Sequence, residues 1–308
     1  MNLLLILNFF IYTFLLWLGA SSLISGSIKL AKKFNLSDFY VGMTVIAIGT
    51  SLPEFFVLLK SAYIDEYSNN LVYGTILGSN MANTCLILGI SLVLTFKTGF
   101  KYKLKNLNFN YLLIIISTLC FYLFSQAVIN NTLLCSIILV TCAFFYTSSK
   151  TEEIEDQGSS ISIILMIIYL LIGPLIIWFA AEGITSTGLE IIKKMGLSSA
   201  FVASVFLALS TSFPEIITTL ISILKYGKND FVLGNIIGSN IANFLIFSVI
   251  NLIFIVPIPD FKELSLLSIL IAEICLFSIV FIYRKNNSIP NSCGIFLVLL
   301  YIIFIVNL

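Results

Sequence analysis

The sequence contains no histidine and no CxxC pair, and only 10% of its 308 residues are charged. Without imidazole there is no Cys/His zinc site, no HExxH protease and no Ser–His dyad. An intramembrane aspartyl dyad is excluded as well, because none of the few aspartates falls midway along an apolar run. A formal net charge of +1 leaves no excess of clustered Lys and Arg for nucleic acid. The six cysteines, Cys85, Cys120, Cys135, Cys142, Cys275 and Cys293, all lie within or beside apolar segments and read as small packing residues.

What the chain has in abundance is apolar sequence: 59% hydrophobic residues and a mean hydropathy of +1.09. A water-soluble globule of this composition would lack polar surface, so the fold class is an all-α polytopic membrane protein. With about 20 residues needed per span, the apolar runs number ten: 3–26, 39–63, 71–95, 108–126, 131–148, 161–187, 200–224, 231–256, 264–283 and 293–307. The first run has no basic residue before Lys29 and is expected to be a retained span, not a cleaved leader. The pair 108–126 and 131–148 is divided only by the short polar stretch Gln126 to Thr132.

Two stretches break the apolar pattern in the same way. Val41 to Phe55 (VGMTVIAIGTSLPEF) and Val202 to Ile216 (VASVFLALSTSFPEI) each place a carboxylate, a proline and hydroxyls inside a span. A shift of 161 residues lays Ala47 on Ala208, Thr50 on Thr211, Ser51 on Ser212, Pro53 on Pro214 and Glu54 on Glu215. A second pair follows, LVYGTILGSNMAN from Leu71 and FVLGNIIGSNIAN from Phe231, identical at eight of thirteen positions with a shift of 160. Interrupted, polar segments at matching places in two halves mark the midplane site of a secondary transporter.

Five spans per half is an odd number, so the second half is expected to lie inverted relative to the first. The fold expected is therefore ten transmembrane helices as two inverted five-helix repeats, 1–148 and 161–308, joined by an acidic, Ser-rich linker at 149–160. With the N-terminus outside, the outer loops hold only Lys60, Lys193, Lys194 and Lys262, and the inner loops the other twelve of the sixteen Lys and Arg. The bias of Lys and Arg toward the cytoplasm then puts both termini outside.

A carboxylate near the bilayer centre costs at least about 2.5–3.5 kcal/mol and needs a partner, a proton or a bound cation. Thr50 and Glu54 are four apart and share a helix face, as do Ser79 with Asn83 and Ser239 with Asn243. Pro53 and Pro214 should kink their helices and free backbone carbonyls, with Ala47 and Thr50, and Ala208 and Thr211, as the oxygens offered. Small residues at Gly74, Gly78 and Ala82, and at Gly234, Gly238 and Ala242, permit close helix approach. Together the four segments make an all-oxygen centre with two carboxylates, which suits Ca²⁺, Na⁺ or Mg²⁺ over softer metals. Each hydroxyl alone could equally bond back to its own backbone, and each Asn could simply join helices. Two mid-membrane glutamates at symmetric positions have no such plain reading. Glu182, which aligns with Ser21, fits either an outer vestibule or a structural hydrogen bond, and Glu273 has no reading from sequence.

At GTSLPE, STSFPE, GSNMAN and GSNIAN the chain resembles the cation/Ca²⁺ exchanger superfamily, specifically the compact prokaryotic Na⁺/Ca²⁺ exchangers. The resemblance implies antiport of Na⁺ against Ca²⁺ by alternating access, with no cofactor beyond the transported ions and no partner beyond the bilayer, a monomer sufficing. It implies ion ligation by Thr50, Ser51, Glu54, Ser79, Asn83, Thr211, Ser212, Glu215, Ser239 and Asn243 and by the carbonyls of Ala47 and Ala208. Two residues depart from the pattern: Ser210 replaces the Gly equivalent to Gly49 and would stiffen the second kink, and Asn243 stands where some members carry Asp. The same carboxylates would also serve Ca²⁺/H⁺ exchange, and the hydroxyl-rich centre favours Na⁺. A pore is disfavoured, since nothing resembles a ring-type selectivity filter.

Overall fold

The computed structural model describes residues 3–62, 68–103, 107–149, 162–193, 208–254 and 263–306. They form helices almost throughout. Helix α1 (Leu3–Phe34) is followed by a broken segment made of α2 (Asp38–Val41), a π-helical stretch (Gly42–Ile46), α3 (Ala47–Thr50) and α4 (Leu52–Ala62). Next come α5 (Ser68–Met81), a second π-helical stretch (Ala82–Ile87), α6 (Leu88–Leu94), α7 (Leu107–Ser125), α8 (Asn131–Ser149) and α9 (Ile163–Lys193). The last part holds α10 (Ala208–Thr211), α11 (Phe213–Leu224), α12 (Asn229–Phe254), α13 (Glu263–Tyr283) and α14 (Ser292–Val306).

Among the described residues, five helical stretches are long and apolar enough to cross a membrane: Phe10–Phe34, Asp38–Leu59, Val72–Leu94, Ile163–Gly183 and Asn229–Phe254. Five shorter apolar helices, Asn110–Ser125, Asn131–Thr141, Phe213–Leu224, Leu267–Tyr283 and Ser292–Val306, fall on the remaining expected runs. The expected span 200–224 is described only from residue 208, and the acidic linker lies, beyond Ser149, outside the described residues. Helix α1 overshoots its expected end at 26, because a helix has no reason to stop where hydrocarbon does. It runs on through Lys29, Lys32 and Lys33 and is closed by Asn35, at φ 50°, with Leu36 N–H donating to the Ala31 carbonyl at 2.9 Å. The turn between α7 and α8 is tight, as expected, with Ala127 at φ 56°.

Helices α1 and α9, which the sequence repeat places at the same rank in each half, pack antiparallel. Tyr12 meets Gly183, Gly19 meets Gly173 and Gly26 meets Leu170. A side chain on Gly19 would come within 3.0 Å of the Gly173 carbonyl, so the two backbones touch only because both residues are glycine. Much of α9 turns Ile164, Leu171, Leu175 and Phe179 outward, an apolar surface suited to lipid. On the other side of the molecule α12 is buried along most of its length. It crosses the broken segment so closely that a Cβ on Gly238 would lie 2.3 Å from the Met43 carbonyl oxygen. Beside it an aromatic cluster of Tyr73, Phe121, Phe244 and Phe247 fills the core, with ring centroids 4.9 to 5.1 Å apart for the closest pairs.

The connections after α1, α6, α11 and α13 gather at one end of the helices. Lys228 pairs with Asp38 at 2.5 Å, and Lys103 N–H donates to Asp230 Oδ1 at 3.0 Å. Asn229 Nδ2 donates to the Lys101 carbonyl at 2.8 Å, and a two-residue strand, Phe100–Lys101, pairs antiparallel with Ser288–Ile289.

Candidate functional site

Both broken segments break at serine. Ser51 (φ −83°, ψ 6°) and Ser212 (φ −82°, ψ 3°) each interrupt the helix, which restarts one residue later with Pro53 or Pro214 in its first turn, where a missing N–H is harmless. The dihedrals match although Ser210 replaces the Gly equivalent to Gly49, so the two breaks have the same geometry. The carbonyls differ from expectation. Those of Ala47 and Ala208 are not left free by the prolines: each accepts the N–H of the break serine at 2.9 Å and the hydroxyl of Thr50 or Thr211 at 3.2 or 3.1 Å. The proline instead removes the donor for the residue four before it, Gly49 or Ser210.

Glu54 and Glu215 stand in the first turn of α4 and α11, at 1% and 0% exposure. Among the described residues no cationic side chain bonds them. Ser79 Oγ donates to Glu54 Oε1 at 3.2 Å and Ser239 Oγ to Glu215 Oε1 at 3.2 Å. Each serine also reaches across to the other half: Ser79 lies 2.9 Å from Ser212 Oγ and 3.4 Å from Thr211 Oγ1, and Ser239 lies 3.5 Å from Thr50 Oγ1. The ten side chains singled out from sequence are thus all buried, and seven of them are joined in two groups that each span both halves: Ser79 with Glu54, Thr211 and Ser212, and Ser239 with Thr50 and Glu215.

The residues missed are those that hold the amides. Asn83 Nδ2 donates to Asn240 Oδ1 at 3.0 Å, and Asn243 Nδ2 donates to Asn80 Oδ1 at 2.9 Å, so the first Asn of each GSN motif grips the last Asn of the other. The signal was present in the repeat itself, since Asn80 and Asn240 recur at the same place in GSNMAN and GSNIAN. Asn235, which stands where the first half has Thr75, accepts from Thr50 Oγ1 at 3.2 Å and donates to Thr218 at 3.1 Å. Glu182 is exposed on α9.

Five buried acceptors in this region have no hydrogen-bond partner: Glu54 Oε2, Glu215 Oε2, Asn83 Oδ1, Asn243 Oδ1 and Ser51 Oγ. Buried oxygens are seldom left so, because each forfeits about 1–3 kcal/mol of lost hydration. Four of the five are symmetry mates on the repeat. A set of carboxylate, amide and hydroxyl oxygens with no nitrogen or sulfur suits a hard cation. Among the described residues no group of three or more His, Cys, Asp or Glu forms, so the charge available to such a cation is that of two carboxylates.

The sequence profile of the sodium/calcium exchanger proteins matches residues 4–172 and again 165–308, two halves that together cover nearly the whole chain. The chain belongs to that family. A Methanocaldococcus jannaschii membrane protein is 28% identical over 297 residues, 96% of this chain and 94% of its own length. The sodium/calcium exchanger MaX1 of Methanosarcina acetivorans is 24% identical, covering 94% of each. The solved structure of the sodium-calcium exchanger NCX_Mj soaked with Na⁺ and Sr²⁺ superposes with a TM-score of 0.80 at 26% identity, over 100% of this chain and 99% of that one. This family member is accordingly a multi-pass membrane transporter and not an enzyme.

Replacing either carboxylate leaves one negative charge and too few anionic oxygens to displace the hydration of a divalent ion. Purified Glu54→Gln and Glu215→Gln proteins are expected to insert and purify like the unmodified chain, yet to take up ⁴⁵Ca²⁺ at background rates in proteoliposomes. Unimpaired uptake by either variant would remove that glutamate from the site.

Proposed function

We propose that this exchanger moves Ca²⁺ against Na⁺ through one shared centre by alternating access, and that the exchange is electrogenic. The observation that carries the reading is the set of buried, unpartnered oxygens on the two carboxylates and beside them. The ligands proposed are Thr50, Ser51, Glu54, Ser79 and Asn83 with Thr211, Ser212, Glu215, Ser239 and Asn243, and the carbonyls of Ala47 and Ala208. Those two carbonyls would reach an ion by giving up their bonds from Thr50 and Thr211, whose hydroxyls can rotate.

The charge balance follows from that set. Ten side chains at these positions bring twelve oxygens, two each from two Glu and one each from two Asn, two Thr and four Ser. One Ca²⁺ takes about six to eight. The surplus favours overlapping positions that Ca²⁺ uses singly and several Na⁺ use together, each excluding the other. One Ca²⁺ balances two carboxylates, whereas more than two Na⁺ leave the loaded centre positive.

Ten spans in two inverted repeats, 1–148 and 161–308 with a linker at 149–160, form the framework proposed. The antiparallel pairing of α1 with α9 supports the inversion. The gathering of four connections at one end supports a cytoplasmic face there, because it is the Lys-rich end. Both termini would then lie outside, so a C-terminal tag should react with a membrane-impermeant label on intact cells; labelling only after permeabilisation would reverse the orientation or change the span count.

The coupling ion and the charge movement are read in one assay, Ca²⁺ uptake into proteoliposomes loaded with Na⁺. Outward Na⁺ should drive uptake, and exit of net positive charge should build an interior-negative potential that slows it, each elementary charge being worth about 2.3 kcal/mol per 100 mV. Valinomycin with equal K⁺ on both sides should relieve the brake. Flux that is indifferent to the clamp and to imposed potentials would make the exchange electroneutral, and flux that follows a proton gradient without Na⁺ would make it a Ca²⁺/H⁺ antiporter.

A further inference from the structure

Glu273, on α13, is a third buried carboxyl at 1% exposure, with no counterpart on the sequence repeat and no lysine or arginine bonded to it. Its Oε1 accepts the Thr84 hydroxyl at 2.7 Å and Asn240 Nδ2 at 3.2 Å, while Asn240 Nδ2 also donates to Thr84 Oγ1 at 2.8 Å. The two acceptors lie side by side, so the amide nitrogen of Asn240 is committed to that side. On the other side Asn240 has only its carbonyl oxygen to offer, and it accepts there from Asn83 Nδ2. Asn83, its own N–H used, keeps Oδ1 as the unpartnered acceptor.

The opposite half solves the same problem by other means. Asn80 Oδ1 accepts from Asn243, and Asn80 Nδ2 donates to the backbone carbonyl of Asn240 at 3.3 Å. A backbone carbonyl can only accept, so that amide cannot turn over. Asn240 has no such anchor. The shift of 160 lays Thr84 on Phe244, so neither member of the Thr84–Glu273 pair is repeated.

We propose that Glu273 is a positioning residue of the exchange site: with Thr84 it fixes the amide of Asn240, and through Asn240 it fixes which end of Asn83 is left for the cation. The proposal rests on the reading of Asn83 as a ligand. Without an acceptor at residue 273 the Asn240 amide can turn over and present Nδ2 to Asn83. Asn83 would then answer with its oxygen and leave an amide N–H in the site, where a donor cannot bind a cation.

The test is Na⁺-driven ⁴⁵Ca²⁺ uptake by the purified full-length chain in proteoliposomes, with the Ca²⁺ KM and the maximal rate measured separately. Glu273→Leu, which removes the acceptor, is expected to raise the Ca²⁺ KM about tenfold or more, the usual cost of losing a partner that orients a ligand, with a lesser effect on the maximal rate. Glu273→Gln keeps a carbonyl oxygen for Thr84 and Asn240 and should hold the KM within about twofold of the unmodified chain. Thr84→Val, nearly isosteric, removes the other acceptor and should raise the KM in the same direction, which keeps the proposal testable should the Leu variant not insert. A Gln variant as impaired as Leu would show that the acid's charge or proton matters and would overturn the proposal. So would a Leu or Thr84→Val variant with unchanged KM and only a lower thermal stability. If the unmodified chain itself shows no Na⁺-driven uptake, it is the exchange reading that fails; if it transports and these variants do not differ from it, only the role of Glu273 does.

Discussion

Two carboxylates are buried in the middle of a membrane protein, and each accepts a serine hydroxyl. Neither can reach the headgroups, and among the described residues no cationic side chain answers them. Everything around the centre acts on this constraint. The helices break beside it at Ser51 and Ser212, prolines sit where their missing N–H does no harm, and hydroxyls from each half reach the other half's carboxylate segment. The remaining oxygens stay open. A transported cation that completes them relieves the lost hydration, which is how a site can be costly when empty and stable when filled.

The two halves are alike at the proposed ligands and unlike behind them. Thr50 and Thr211, Ser79 and Ser239, and Asn83 and Asn243 repeat in position, each serine bonding its own half's glutamate and the other half's threonine, and the two amides are gripped crosswise by Asn240 and Asn80. Behind that layer the repeat dissolves. Asn235 steadies Thr50 where the first half has Thr75, and Glu273 with Thr84 steadies Asn240, whereas its counterpart Asn80 in the first half is held by a backbone carbonyl. The proposed ligands are near-symmetric, while the supports that orient them differ.

The centre was readable from sequence because lipid makes polar residues conspicuous. A glutamate, a proline and hydroxyls inside an apolar run stand out, and their recurrence 161 residues later removes chance as an explanation. Helical runs were readable for the same reason, to within a few residues at most ends. Three things were not. The ends of α1 and α9 depend on caps and loops beyond the hydrocarbon, which hydropathy does not register. The carbonyls of Ala47 and Ala208 stay bonded because the break falls at serine, ahead of the proline, and a kink drawn from proline alone puts the free carbonyl in the wrong place. The grip of Asn80 and Asn240 crosses between halves, so no spacing along one helix could reveal it, although the recurrence of those two residues was in view. Glu273 is the extreme case, a side chain without a repeat partner whose role exists only in three dimensions.

The central claim is that Na⁺ and Ca²⁺ compete for one centre built jointly by the two halves. It is tested most directly by equilibrium binding of ⁴⁵Ca²⁺ to the purified chain in detergent as Na⁺ is raised at constant ionic strength. The account predicts about one Ca²⁺ bound per chain, expelled by Na⁺ with a steepness greater than one ion and not by an equal concentration of choline. Ca²⁺ binding that Na⁺ leaves untouched, or lowers no more than choline does, would contradict it.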